Sequence, residues 1–316
     1  MPGGGAGAAV VSCPVCLRAC DDATGHPACN RRLYGRPVPP RLEVGLADVE
    51  RLAVETVNRR LAITGVQRKL SLGQIGEGGE RRLTIVGALG GTHILKPPTP
   101  DYPHMPELEH WTMVLGEACD LSVAPCGLLP LATGEPAFIT RRFDREGERR
   151  IHTEDLCQLS GLPTADKYRS SMERAGVLVR RFASAPGNDA LRFFEVAIFS
   201  FLTGNSDMHL KNWSLVRDGG RVVLSPAYDL LPVRLLVQDL EESALPIHGR
   251  KSRLGRRDFL ALAAHLKIPD VVAERTLESM RDALPRAVAE TPSPWVPAPL
   301  AARLAALVER NLRRLA

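Results

Sequence analysis

No stretch of this sequence stays apolar for the roughly 18 to 20 residues that a membrane-spanning helix needs, so no such span is expected. The opening residues, Met1–Val11, are small, rich in Gly and Ala, and carry no basic side chain. A secretory leader begins with basic charge before its apolar core, so a cytoplasmic protein is expected. There is no internal repeat. Neither sign of charge dominates: 41 Lys and Arg stand against 36 Asp and Glu, a formal net charge of +5. That balance suits an anionic ligand such as a nucleotide and is too weak to indicate nucleic-acid binding by itself. The seven cysteines are odd in number, which argues against a disulfide framework in a reducing compartment.

What is present is an ordinary globular composition, 44% hydrophobic and 24% charged over 316 residues, enough for one large domain or two moderate ones. Arg68–Leu72 alternates, and Leu83–Val86 and Thr92–Lys96 read as strands, the last stopped by Pro97 and Pro98. Residues 106–119 place Leu108, Trp111, Leu115 and Ala118 on one helical face. A strand pair is expected over 128–142. Beyond about residue 153 the pattern turns mostly helical. Residues 189–203 are apolar nearly all round, the mark of a buried helix. Val222–Leu224 reads as a short strand, and amphipathic helices are expected near 257–267, 270–284 and 298–315. Strands early and helices late give an α+β fold with a small β-rich lobe and a larger helical lobe. A ligand cleft is expected between them. The expected units are a cysteine-rich head (1–36), a β-rich lobe (37–145) and a helical lobe (146–316).

Polar residues gather directly after the buried helix, in Gly204-Asn205-Ser206-Asp207-Met208-His209-Leu210-Lys211-Asn212, and again at Tyr228-Asp229. Singly they read as caps and turns; as a set they match the parts that phosphoryl transfer requires. Asp207 with Asn212 five residues on has the spacing of the catalytic Asp and metal-binding Asn of a kinase loop. Lys211 could neutralise phosphate charge. Asp229 supplies a second carboxylate for Mg²⁺, which takes one or two such ligands beside phosphate and water oxygens. His209 serves equally as a structural hydrogen-bonding residue or a ligand contact. Lys96 ends a strand ahead of a helix carrying Glu109, with Glu107 as the neighbouring option; a strand lysine held by a helix glutamate contacts the nucleotide phosphates of kinases. Thr64-Gly65-Val66-Gln67 could cover phosphates, although with a single glycine it also reads as a plain β-turn.

Thr64–Leu72, His93–Pro97, Arg142–Arg145, His152–Gln158, Gly204–Asn212 and Tyr228–Leu231 occur in the order of the motifs of HipA-like kinases, and the sequence resembles that family over about residues 60–270. The resemblance implies a two-lobed, protein-kinase-like fold that uses ATP and Mg²⁺. It implies Asp207 as catalytic base, Asn212 and Asp229 as metal ligands, and Lys96 as phosphate contact. His209 and Lys211 match further catalytic-loop positions, and Phe143 an adenine contact. Members are serine/threonine protein kinases that act as toxins on a protein of translation, such as an aminoacyl-tRNA synthetase. A small helix-turn-helix antitoxin restrains them, and DNA is reached only through it. This chain is short and resembles the compact, HipT-like type, in which the N-terminal subdomain is a separate protein. Two features depart from the family pattern: Thr64 is the only hydroxyl in Ala62-Ile63-Thr64, where many members carry serines that become autophosphorylated, and Arg141 stands at a hinge position that is often acidic.

Cys13, Cys16, His26 and Cys29 supply three thiols and an imidazole, a tetrahedral Zn²⁺ set with a structural role; Cys20 could replace one member. The competing reading is a lid of reduced cysteines. Two other functions fit the residues: a small-molecule kinase on the same scaffold, and a weakly active regulatory or DNA-associated module using the head and the basic Arg250–Arg253.

Overall fold

The computed structural model describes residues 11–48, 69–75, 82–86, 91–147, 149–238 and 241–316. The loop residues Thr64, Gly65, Val66 and Gln67 lie outside them. The head is a short hairpin, β1 (Val11–Ser12) and β2 (Ala19–Cys20), followed by helix α1 (Pro27–Tyr34), which ends on Gly35 in the left-handed region.

A six-stranded sheet follows: β3 (Arg41–Leu42), β4 (Leu70–Ile75), β5 (Arg82–Ile85), β6 (His93–Lys96), β7 (Cys126–Pro130) and β8 (Pro136–Arg141). Its order is β3-β5-β4-β6-β8-β7, with β3 parallel to β5 and the other pairs antiparallel. Alternation sorts the side chains to two faces. Leu95 lies across from Leu70 on β4 and Ile139 on β8. These three pack with Leu33 and Tyr34 of α1 and with Leu42, Leu72 and Leu83. Burying one such leucine contributes roughly 2 kcal/mol. Lys96 pairs with Phe138, which belongs to the core of the opposite face. That face is covered by α2 (Met105–Ala118), whose Leu108, Trp111 and Leu115 are buried. The register thus aims Lys96 at α2.

The second part opens with the hairpin β9 (Arg145–Glu146) and β10 (Arg149–Arg150) and then β11 (Thr153–Asp155), which caps the short α3 (Leu156–Leu159). Helices α4 (Met172–Phe182) and α5 (Pro186–Thr203) follow, then β12 (Ser214–Asp218), β13 (Arg221–Leu224), α6 (Val233–Leu236), α7 (Arg256–His265), α8 (Asp270–Glu290) and α9 (Ala298–Leu315). As its composition requires, α5 is central: Phe193, Phe194, Ile198, Phe199 and Leu202 are fully buried, and α4, α7, α8 and α9 pack around it. It starts earlier than the apolar periodicity indicates because Pro186 sits in its first turn, where a missing N–H does no harm. It ends on Gly204 at φ 77°, where a Cβ would lie 2.6 Å from Leu307 Cδ2.

Strands β11, β12 and β13 form an antiparallel sheet within the helical part. Only its third strand was expected. β11 is three residues long, too short to show a period, and it exists because Thr153 and Asp155 pair with Val216 and Ser214. Cys119, Cys126 and Cys157 are buried free thiols. Among the described residues no helix is long and apolar enough to cross a membrane.

Candidate active site

Lys96 Nζ donates to Glu109 Oε1 at 2.6 Å, and both residues are buried. The same ammonium contacts Asp229 Oδ1, from the segment after β13. Burial disfavours the charge on Lys96, but the carboxylates of Asp229 and Glu109 outweigh it and hold its pKa above the ordinary lysine value. Burial likewise pushes the Asp229 carboxyl up, and the Lys96 ammonium overcomes it, so the group sits below the usual carboxylate range. The neighbouring option, Glu107, faces His104 at 3.5 Å instead. Lys96 also lies 5.4 Å from the centre of the Phe138 ring, its cross-strand neighbour.

Asp229 adopts φ 55°, a left-handed conformation that non-glycine residues hold only when their surroundings fix it. Two ties do so. Ala227 exchanges backbone hydrogen bonds with Ser122 and Ala124, just past α2. Asn205 Nδ2 donates to the Asp229 carbonyl at 3.0 Å. The same buried amide accepts from Asp207 N at 3.3 Å through Oδ1, so one side chain joins the backbones of both carboxylate-bearing residues. Asn212 Nδ2 donates to the Asp207 carbonyl at 2.9 Å, which closes the loop and leaves the amide oxygen as the atom that could hold a metal.

Asp207 is half-buried, and its Oδ1 accepts from the Tyr168 hydroxyl at 2.6 Å. Burial holds the His209 imidazole below its ordinary pKa against the pull of Asp207, so it is neutral near pH 7. Lys211 Nζ lies 2.6 Å from Asp155 Oδ2. Asp155 Oδ1 meanwhile caps α3 through Gln158 N. Phe143 packs on Tyr228 with ring centres 5.4 Å apart, and the Tyr228 hydroxyl donates to the Lys211 carbonyl at 2.9 Å.

The structure therefore brings Lys96, Glu109, Asp207, His209, Asn212 and Asp229 into one connected cluster, with Lys211 and Phe143 at its side. The ligand atoms left at Asp229 and Asn212 are all oxygens, the donor set that suits Mg²⁺.

In the head, Cys13, Cys16, His26 and Cys29 converge, their ligand atoms all within 4.8 Å of one another. His26 Nδ1 is 3.3 Å from Cys16 Sγ, while Nε2 lies 3.0 Å from the Ala19 carbonyl. A proton on Nε2 bonded to that carbonyl leaves the Nδ1 lone pair facing the thiols, the arrangement of a metal-binding histidine. Three soft thiolates and one imidazole fit Zn²⁺. Cys20 points elsewhere, toward the carbonyls of Val11 and Asp22.

A family model described as the HipA-like C-terminal domain matches residues 61–288. The chain belongs to this family. The serine/threonine-protein kinase toxin HipA of Shewanella oneidensis is 28% identical over 256 residues, 73% of this chain and 57% of that protein. A protein of Sinorhizobium fredii named as a kinase is 35% identical over 208 residues, 63% of this chain and 48% of the relative. The chain spans about half to two thirds of the length of these relatives. Among solved structures, the Shewanella oneidensis complex of HipA, HipB and operator DNA aligns with TM-score 0.69 and 26% identity, covering 81% of this chain and 65% of the HipA chain. The mixed α+β, kinase-like fold of HipA is therefore the fold of this HipA-like chain, with a β-rich first part and a helical second part.

Three residues of the HipA-like site escaped the sequence reading: Tyr168, Asn205 and Asp155. Asn205 and Asp155 lie inside motif segments, so attention to buried amides and caps beside the catalytic loop would have raised them. Tyr168 carries no local signal; it is found only once its segment folds onto Asp207.

Proposed function

We propose that this chain is an ATP-dependent serine/threonine protein kinase, a HipA-like toxin acting on a protein of translation such as an aminoacyl-tRNA synthetase. The observation that carries it is the meeting of Lys96 with both Glu109 and Asp229, beside a loop that presents Asp207 and Asn212. A small lobe at 37–145 and a helical lobe at 146–316 would enclose the nucleotide. Asp229 and Asn212 would hold Mg²⁺, which when bound draws charge from the phosphates. Lys96 binds the phosphates and Glu109 orients it. Asp207 orients the acceptor hydroxyl and takes its proton. Phe143 borders the adenine, and His209 and Lys211 order the catalytic loop. The 64–67 loop would cover the phosphates.

In the head, residues 1–36, the Cys13, Cys16, His26 and Cys29 set would hold one structural Zn²⁺. The solved relative is a complex with HipB and operator DNA, and by analogy this chain would meet a small helix-turn-helix antitoxin in the cytoplasm and reach DNA through it. A separate protein resembling the N-terminal subdomain would complete the system.

The test is label transfer from γ-labelled ATP with Mg²⁺ to a panel of aminoacyl-tRNA synthetases, with Asp207→Ala alongside. Transfer to one synthetase by the wild type alone is expected. Equal or absent transfer in both proteins would reject the assignment, and a metabolite panel in the same buffer reads out a small-molecule acceptor.

A further inference from the structure

Between α3 and α4 the chain makes a single 3-10 turn, Thr164–Asp166. Leu210 N, from the catalytic loop, donates to the Lys167 carbonyl at 3.2 Å and fixes this connection against that loop. The next residue is Tyr168. Its ring meets the His209 imidazole edge-on, with centres 5.1 Å apart and planes at 75°. The Lys167 ammonium lies 5.0 Å from the centre of the same ring. The hydroxyl donates to Asp207 Oδ1 at 2.6 Å.

Two features separate this contact from ordinary packing. Tyr168 is 42% exposed, so its ring does not fill the core. The end of the side chain that points inward is the polar one, and it lands on the one carboxylate that the site reserves for the acceptor. Burial, reinforced by Asp207, holds the phenol above its ordinary pKa, so it remains a donor at neutral pH. The other oxygen, Asp207 Oδ2, lies 4.0 Å from His209 Nε2, beyond hydrogen-bond range.

We propose that Tyr168 is a positioning residue of the phosphotransfer step: it pins Asp207 Oδ1 and so turns Oδ2 toward the acceptor hydroxyl. The proposal rests on the kinase reading given above. In that step the acceptor oxygen bonds to the γ-phosphorus. The bond from that phosphorus to the β,γ-bridging oxygen breaks, its electron pair leaves with ADP, and the acceptor proton passes to Asp207 Oδ2. A carboxylate free to rotate would present the wrong oxygen or the wrong lone pair, and misplacement on the ångström scale lowers such rates by about a hundredfold.

The experiment compares wild type, Asp207→Ala, Tyr168→Phe and Tyr168→Leu. It follows label transfer from γ-labelled MgATP to myelin basic protein as a generic acceptor, binding of a fluorescent ADP analogue, and melting temperature. Tyr168→Phe keeps the ring against His209 and removes only the O–H. Its kcat is expected to fall roughly 10- to 100-fold, with the KM for MgATP and the ADP-analogue affinity held within about twofold and the melting temperature unchanged. Tyr168→Leu is expected to lose the same rate and to melt lower. Tyr168→Phe working at the wild-type rate would overturn the proposal, and so would a loss of rate matched by a loss of nucleotide affinity or of folding. Wild type no more active than Asp207→Ala, with the ADP analogue still bound, would sink the kinase reading itself, and the role of Tyr168 falls with it.

Discussion

Lys96 and Glu109 face each other across 2.6 Å, one at the end of a strand and the other on the helix that covers it. The Glu109 side chain is 1% exposed and that of Lys96 is 8% exposed. Removing one member of a buried pair leaves the other charge without its compensation, at about 3 to 5 kcal/mol. Lys96→Met is therefore expected to lower unfolding stability by that order and to abolish phosphoryl transfer. Lys96→Met combined with Glu109→Gln is expected to recover much of the stability and none of the activity. Denaturant unfolding and label transfer read the two effects separately.

His93 and His110 give the fold an acid limit. Burial pushes both imidazoles down to about 4, against an unfolded value near 6.5. The unfolded chain therefore binds more protons between these values, and stability rises with pH through that window. Their contribution is complete above about pH 6.5 and is lost as the pH falls toward 4, by roughly 3 kcal/mol each at the acid end. His110→Gln, which retains a donor for the Val15 carbonyl, is expected to flatten part of the slope. Unfolding midpoints measured from pH 8 to pH 4 would decide it; a flat profile refutes the assignment.

The head is expected to carry about one zinc per chain, measured by elemental mass spectrometry on protein purified without chelator. Cys16→Ser or His26→Ala should lose that zinc. Chelation should lower the melting temperature, because metal binding and folding of such a knuckle are coupled. Cys20→Ser should keep the metal, since its thiol turns to the Val11 and Asp22 carbonyls.

Gly204→Ala should be destabilising by about 1 to 3 kcal/mol. The position combines φ 77° with a Cβ site 2.6 Å from Leu307 Cδ2. Adding Leu307→Ala would relieve the contact but not the backbone strain, so only part of the loss should return in thermal unfolding.

Much of the site was readable before folding because its parts sit in short runs with strong local character. Lys96 closes an apolar strand, Glu109 lies on a periodic helix, and Asp207 to Asn212 follow a helix with no polar face to hide them. The pairing of Lys211 with Asp155 was not readable, because Asp155 precedes α4 and α5 in the chain and Lys211 follows them. Tyr168 was hidden for the same reason, since its contact with Asp207 spans 39 positions. Strand β11 owes its existence to a partner rather than to its own pattern. The choice between Glu107 and Glu109 needed the rotation of α2 relative to β6, which composition does not fix.

Asn205 works as a gauge block. One amide, 2% exposed, touches the main chain at Asp207 with its oxygen and at Asp229 with its nitrogen. The spacing between the Asp207 and Asp229 main chains is set by the span of that rigid plane. A nudge to either loop is handed to the other, so the two carboxylates keep step.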